Sequence, residues 1–237
     1  MLSGKITSME TPPTRPATPR ELPILGGHLA LDFANTVDDP LGPARHDHAA
    51  TYPDLLQWAT RVNLVGEQQA ARLLRAAARA PRTEAAALRR AHQLRRAVNE
   101  LFGGVADDRP DVPDQWPRLR PFVTAAIAAA SLATADGVEP AGRARGRQAW
   151  VWPQEDELHV MLYPIAMAAA ELLVGPDLSR LKRCARCPWL FLDRSKNHSR
   201  RWCDMDDCGK AQKIERYVAR RAARRSWAQQ AIGSQRA

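Results

Sequence analysis

Four cysteines near the C-terminal end form the residue set best suited to chemistry. Cys184 and Cys187 are separated by two residues, fifteen residues follow, and Cys203 and Cys208 are separated by four. Zn²⁺ favours a tetrahedron of thiolate or imidazole ligands, and two close pairs of cysteines supply one. The spacing therefore predicts one structural zinc ion. Because the protein would fill all four positions, no place is left for a catalytic water.

Other interpretations of the cysteines stay open at this stage. His198 could replace one cysteine as a ligand, or the thiols could be free and buried. Disulfides are disfavoured if the protein is cytoplasmic, where thiols stay reduced. We expect a cytoplasmic location because residues 1–21 carry four prolines and lack the apolar core of a secretory signal. These residues are predicted to form a disordered leader.

Positive charge is concentrated in the same segment as the cysteines. Residues 180–237 hold 16 Lys and Arg against five Asp and Glu, a net charge of +11, whereas the other 179 residues hold 19 against 21, or −2. A zinc ion on four thiolates lowers the segment to about +9. Such asymmetry indicates a module that binds a polyanion. The alternative is a solvated basic face.

The residues between the two cysteine pairs and after the second pair predict which structural elements carry this charge. A short hairpin is expected through Trp189 to Trp202, and a basic helix is expected over residues 209–227. Together with the zinc site, this outline is treble-clef-like. The candidate nucleic-acid-binding residues are Arg194, Lys196, Arg200, Arg201, Lys210, Lys213, Arg216, Arg220, Arg221 and Arg224.

The body that precedes this segment predicts an α+β fold, mostly helical with a small antiparallel sheet. Apolar alternation predicts a strand over 29–33, with a helix as the alternative there. Apolar spacing and turn residues predict helices over 52–63, 66–80, 83–102 and 163–174, and a hairpin of 148–151 with 158–162. Thr83 is expected to cap the third helix and Gly103-Gly104 to end it. Residues 107–121 are rich in turn-forming residues, and a further helix is predicted within 116–133.

No catalytic motif stands out in residues 1–179. The segment lacks a P-loop, a dinucleotide fingerprint, a nucleophile elbow and a His-Glu-x-x-His motif. Arg45-His46-Asp47-His48 is better explained as a solvated loop than as a metal site. The polar residues Asp32, Asn35 and Thr36 are expected to make local turn hydrogen bonds. We therefore do not expect an enzyme.

Two segments together resemble a known family. They are LALDFANT at residues 29–36 and the cysteine segment with FLDRSKN at 191–197 and RRWC at 200–203. These resemble the bacterial CGNR zinc-finger proteins, which carry an N-terminal ABATE domain and are described as stress-induced transcription regulators. The resemblance covers about residues 22–225. It implies a four-cysteine zinc finger that binds DNA, with Cys184, Cys187, Cys203 and Cys208 as ligands.

The chain departs from the motif that gives this family its name. At the fourth cysteine the family has Cys-Gly-Asn-Arg, whereas this chain has Cys208-Gly209-Lys210-Ala211. The ligand and the glycine are kept. An arginine that could contact phosphate is lost, and Lys210 adds a cation one residue earlier. The change concerns the contact with nucleic acid and leaves zinc binding intact.

The residues and the resemblance lead to one main functional prediction and one alternative. The main prediction is a zinc-binding, DNA-binding transcriptional regulator whose body, residues 22–178, senses a ligand or dimerises, and whose finger, residues 180–227, contacts double-stranded DNA before a tail, 228–237. The alternative is a zinc-stabilised module that binds RNA or protein. A homodimer would match paired half-sites. No apolar run reaches the roughly 18–20 residues of a membrane span.

Overall fold

The computed structural model describes residues 19, 21–40, 45–134, 148–152 and 157–234. The helices are Leu29–Ala34 (α1), Tyr52–Arg61 (α2), Glu67–Arg79 (α3), Pro81–Ala106 (α4), Val112–Ala129 (α5), Leu162–Val174 (α6) and Lys210–Ser234 (α7). Antiparallel pairs join Val37–Asp38 (β1) to His46–Asp47 (β2), Ser131–Thr134 (β3) to Gln148–Val151 (β4), and Leu181–Arg183 (β5) to Leu190–Leu192 (β6). The predicted α+β fold, mostly helical with small antiparallel sheets, is confirmed.

Helix α4 is the centre of the core. Its apolar side chains recur at helical spacing, so that Ala91, Leu94, Val98 and Leu101 are all buried. Helices α1, α2, α3, α5 and α6 and strands β5 and β6 pack against it. The body and the cysteine segment therefore share one apolar core.

The predicted limits of α4 are wrong at both ends. The helix begins at Pro81, whose fixed φ and missing N–H suit a first turn, and Thr83 does not cap it. It also continues through Gly103 and Gly104 to Ala106. A Cβ on Gly103 would lie 2.6 Å from Nη2 of Arg183 in β5. These glycines therefore permit close packing and do not end the helix.

Residues 29–33 form a helix and not the predicted strand. The apolar alternation suggested one buried face, but α1 is buried nearly all round, from Ala30 to Ala34. A segment surrounded by core loses the periodicity that distinguishes helix from strand. The His28 side chain, an N-cap, accepts a hydrogen bond from the Ala30 amide (3.4 Å).

Two other predicted elements differ from the structure. Helix α5 is the helix predicted within 116–133, but it begins at Val112 and so occupies part of the segment expected to be turn-rich. Pro117 and Pro121 lie four residues apart on its exposed face, where water can reach the freed carbonyls. Strand β4 pairs with β3, with Leu132 opposite Trp150, and not with residues 158–162. Apart from the partly exposed His159, those residues are buried, and they lead into α6.

The predicted helices over 52–63, 66–80 and 163–174 are confirmed, as α2, α3 and α6. Of the predicted leader, only Pro19 and Glu21 fall within the described residues, and residues 153–156 of the predicted hairpin turn lie outside them. Within the described part of the chain, no helix combines the length and apolar character needed to cross a bilayer.

Candidate metal centre and nucleic-acid interface

The four cysteines meet in one cluster. The turn between β5 and β6 carries Cys184 and Cys187, a loop carries Cys203, and a π-helical turn, Met205–Gly209, carries Cys208 immediately before α7. All four Sγ atoms lie within 4.8 Å of one another. The chain thus brings residues from three local structures to a single point.

The cluster has the dimensions of a zinc site. The Sγ atoms of Cys187 and Cys203 are 3.5 Å apart, and those of Cys203 and Cys208 are 3.7 Å apart. Four thiolates at about 2.3 Å from one ion, at tetrahedral angles, would be about 3.8 Å apart. The donor set therefore fits one structural zinc ion, which would join the β5–β6 hairpin to the start of α7. His198 is not part of this cluster.

The hairpin of this segment lies earlier than predicted. Strands β5 and β6 flank the Cys184–Cys187 turn, with Leu181 paired to Leu192, so the hairpin is 181–192 and not 189–202. The Cys184 amide donates to the Trp189 carbonyl (2.9 Å), which closes the turn. The fully apolar strand β6, Leu190–Leu192, is buried on both faces. Burial of these side chains places the hairpin in the core.

A buried carboxylate, Asp193, organises the loop between the hairpin and Cys203. It accepts hydrogen bonds from Lys182 Nζ (2.7 Å), from the amide and hydroxyl of Ser195 (2.9 and 2.6 Å) and from the Arg200 amide (3.0 Å). Burial opposes its ionisation, but these donors outweigh burial and hold the pKa of Asp193 below its usual value. The loop is thereby held in one shape, with Lys196 exposed.

The predicted nucleic-acid-binding residues differ in the contacts that their side chains make within the protein. The Arg200 guanidinium donates to the carbonyls of Trp202 and Cys203 and lies 4.6 Å from the Phe191 ring centroid, so it supports the finger from inside. Arg194 is exposed but donates to the Gly27 carbonyl (3.2 Å). Arg201 is exposed and lies over the Trp202 ring.

The cations of α7 form the most open part of the candidate interface. The helix packs mainly against the Met205–Gly209 turn and extends away from it. Among its described side chains, Glu215 forms an ion pair with Arg186 (3.0 Å). The exposed cations are Lys210, Lys213, Arg216, Arg220 and Arg221, and the side chain of Arg224 lies outside the described part. The predicted basic helix is confirmed, and it runs on to Ser234.

Polar residues of the body join it to the finger, and the sequence did not reveal their partners. Asn35 donates to the Leu190 carbonyl and accepts from the Leu190 amide, both at 2.9 Å. Asp38 accepts from the Trp189 indole (2.8 Å). The expectation of a local turn bond is wrong for Asn35, although it is right for Thr36, whose hydroxyl donates to the Phe33 carbonyl.

The segment from Arg45 to His48 is not a solvated loop. His46 and Asp47 form β2, and the buried His48 ring lies 3.0 Å from a carboxylate oxygen of Asp38. Asp47 accepts two hydrogen bonds from Arg95 (2.7 and 2.5 Å). No motif marked these pairs, because their members are far apart along the chain.

Comparison with known families agrees with this geometry. A family model named ABATE, with the description "Putative stress-induced transcription regulator", matches residues 27–176. The chain belongs to the ABATE family. A second model, the CGNR zinc finger, matches residues 180–221 and thus contains the whole cysteine cluster. A comparison with curated proteins found no match. Both families are of regulatory or zinc-finger type, and the resemblance seen in the sequence is confirmed.

Proposed function

We propose that this ABATE protein is a transcriptional regulator whose zinc finger binds double-stranded DNA. The observation that carries the proposal is the exposed cationic face of α7, which extends from a base anchored by four cysteines. A helix of this kind fits the major groove or lies along the phosphate backbone, where Lys and Arg displace counterions. Acting on DNA, the protein would work in the cytoplasm of a bacterial cell.

The loop held by Asp193 supplies a second part of the proposed interface. It presents Lys196, and the exposed Arg201 follows on the same finger as α7. Arg194 and Arg200 are the other predicted residues outside α7, but Arg200 acts through the shape of the finger because its guanidinium is bonded to backbone carbonyls. Lys210 lies where the family motif has Asn, at the start of α7, and we assign it to a phosphate.

In this proposal the body supplies the input of the regulator. It senses a ligand or pairs two copies, and pairing would match two half-sites on DNA. Hydrogen bonds from Asn35 to Leu190 and from Trp189 to Asp38 connect it to the finger, and we assign the coupling between body and finger to these contacts. Sedimentation of the protein with and without duplex DNA would measure the number of copies.

A salt series tests DNA binding. Zinc-loaded protein is titrated against duplex DNA between about 50 and 200 mM salt, with zinc-stripped protein beside it. We expect the logarithm of the affinity to fall linearly with the logarithm of the salt concentration, and zinc removal to abolish binding. Single-stranded DNA and structured RNA serve as competitors. Preference for RNA, or no binding at low salt, would support the alternative of a zinc-stabilised RNA- or protein-binding module.

A further inference from the structure

A cavity of about 420 Å³ lies where the body meets the finger. It is lined by Val37 of β1, by Arg45 just before β2, by His92 and Arg96 of α4, and by Arg183 of β5, which directly precedes Cys184. Its volume falls within the roughly 300–1,000 Å³ of small-molecule sites. The cavity is therefore large enough for a metabolite and too small for a macromolecule.

The lining of this cavity is strongly cationic. Of its charged residues, four are arginines and one is a carboxylate: Arg45, Arg95, Arg96, Arg183 and Glu100. Glu100 is already shared, since it accepts hydrogen bonds from Arg96 (2.8 Å) and from Arg118. Asp47 and Asp107 do not line the cavity but bind three of these arginines, so four guanidinium groups are set against three carboxylates and the lining keeps a net positive charge.

The floor of the cavity is built around a buried arginine. Arg95 is only 3% exposed, and its guanidinium donates to Asp47 and to the Thr36 hydroxyl (3.0 Å). Asp47 also accepts from Arg45 (2.9 Å), so one carboxylate serves two arginines. Burial opposes ionisation of Asp47, but hydrogen bonds from Arg95 outweigh it and hold its pKa below the usual value. The ionised carboxylate fixes both guanidinium groups in place.

Fixed guanidinium groups select a particular ligand chemistry. A guanidinium has five N–H donors in a planar fork that matches the oxygens of a carboxylate or a phosphate. We propose that this cavity binds a small multivalent oxyanion, with Arg45 and Arg96 as its direct contacts. A free organic polycarboxylate and a phosphate share this chemistry, and the experiment below separates them.

Because Arg183 lines the cavity and belongs to the finger, a bound anion can affect the finger. Arg183 donates to both carboxylate oxygens of Asp107 (2.9 and 2.8 Å) and to the Pro188 carbonyl (3.0 Å), and it directly precedes Cys184. An anion on Arg45 and Arg96 that also reached Arg183 would compete with Asp107 for its guanidinium. This regulatory consequence rests on the proposed function, whereas anion binding itself does not.

Calorimetric titration at constant ionic strength tests the site directly. Citrate and inorganic phosphate are the two probes, glycerol is the uncharged control, and sodium chloride balances the ionic strength. We expect saturable binding of at least one anion and none of glycerol. The double variant Arg45→Ala/Arg96→Ala should bind at least tenfold more weakly. The double variant Arg82→Ala/Arg89→Ala, which removes two charges at exposed positions of α4 that do not line the cavity, should bind like the native protein.

A measurement on the native protein keeps the proposal testable if the double variant is misfolded. The ring protons of His92, which lines the cavity, should shift on titration with the anion, while those of His159, which does not line it, should stay constant. Absence of saturable binding for both anions, or equal shifts at the two histidines, would overturn the proposal. Binding of citrate alone would identify a carboxylate, and binding of phosphate alone a phosphate. Because no DNA is present, failure here is distinct from failure to bind DNA.

Discussion

Individual residues connect the two family segments through buried hydrogen bonds. Asn35 pairs with both backbone groups of Leu190, as a neighbouring strand would, and both residues are buried. A buried donor or acceptor without a partner costs about 1–3 kcal/mol. Single side chains of the body therefore affect how firmly the finger is held.

Asn35→Ala should lower the free energy of unfolding by about 2–4 kcal/mol, because it leaves the amide and carbonyl of Leu190 unpaired and buried. Urea denaturation measures the change. Asn99→Ala is the control, since Asn99 makes one partly buried bond, to the Ala34 carbonyl, and should cost about 1 kcal/mol. Equal losses of unfolding free energy for the two variants would show that the pair of hydrogen bonds to Leu190 stabilises the protein no more than the single bond of Asn99.

Asp32 gives stability a specific pH dependence. Burial raises its pKa to about 6, against the opposing effect of hydrogen bonds from the Gly26 and Leu25 amides. Because the folded pKa lies above the unfolded one, the folded protein binds the proton more tightly, and stability falls as pH rises through the interval between them. We expect this contribution to fall by about 2 kcal/mol between pH 4.5 and 7.5.

Asp32→Asn removes this titration, so the difference in unfolding free energy between native protein and variant should change by that amount across the range. Denaturation at several pH values measures it. The exposed Asp114→Asn is the matched control, and its difference should stay constant. A constant difference for Asp32→Asn as well would show that the folded and unfolded states bind this proton equally.

At the scale of elements, α7 has little packing against the rest of the described molecule. Its main packing partner is the turn that carries Cys208, and Ile214, Tyr217 and Val218 are about half exposed. A helix with so little packing keeps its cations available to a ligand. By contrast, β5 and β6 are short but deeply buried, because their apolar residues complete the core of the body.

Arg220→Ala/Arg221→Ala should weaken duplex DNA binding to all sequences alike and reduce the slope of log affinity against log salt by about 2, since each arginine would release about one counterion from a phosphate. Arg72→Ala/Arg75→Ala on the exposed face of α3 removes the same charge from the body and should leave the slope unchanged. If both pairs reduce the slope equally, the effect comes from total charge and α7 is not the contact.

At the scale of the whole molecule, the finger and the body are one structural unit. Strand β6 packs against α1 and α4, and the Trp189 indole bonds to Asp38 of the body. The zinc ion holds the turn next to β6, so metal binding contributes to the stability of this shared core. The family boundary between residues 176 and 180 is therefore a boundary in sequence and not in packing.

Removal of zinc by a chelator should lower the unfolding temperature of the entire chain. Calorimetry should show a single transition in both forms, displaced to lower temperature without metal, because the same core includes both segments. Restoring zinc should restore the transition. Two separate transitions, with only the smaller one sensitive to the chelator, would show that the finger unfolds independently of the body.

Local spacing in the sequence was sufficient to predict several features. The cysteine pairs predicted the zinc site, the apolar spacing within 83–102 predicted the central helix, and the excess of Lys and Arg after residue 180 predicted the exposed basic helix. Each of these depends on neighbours along the chain or on ligands whose chemistry is known. Such local signals do not depend on how distant segments of the chain pack.

Only the tertiary structure decided the features that depend on distant partners. Residues 29–33 have a strand-like alternation but lie in a helix surrounded by core, and Gly103 permits contact with Arg183 where a helix end was expected. By its type and position Arg200 is predicted to contact nucleic acid, but its guanidinium is bonded to the carbonyls of Trp202 and Cys203. Asn35 meets Leu190 across 155 residues, and no local pattern encodes such a pair, because burial and hydrogen bonding are settled when distant segments pack together.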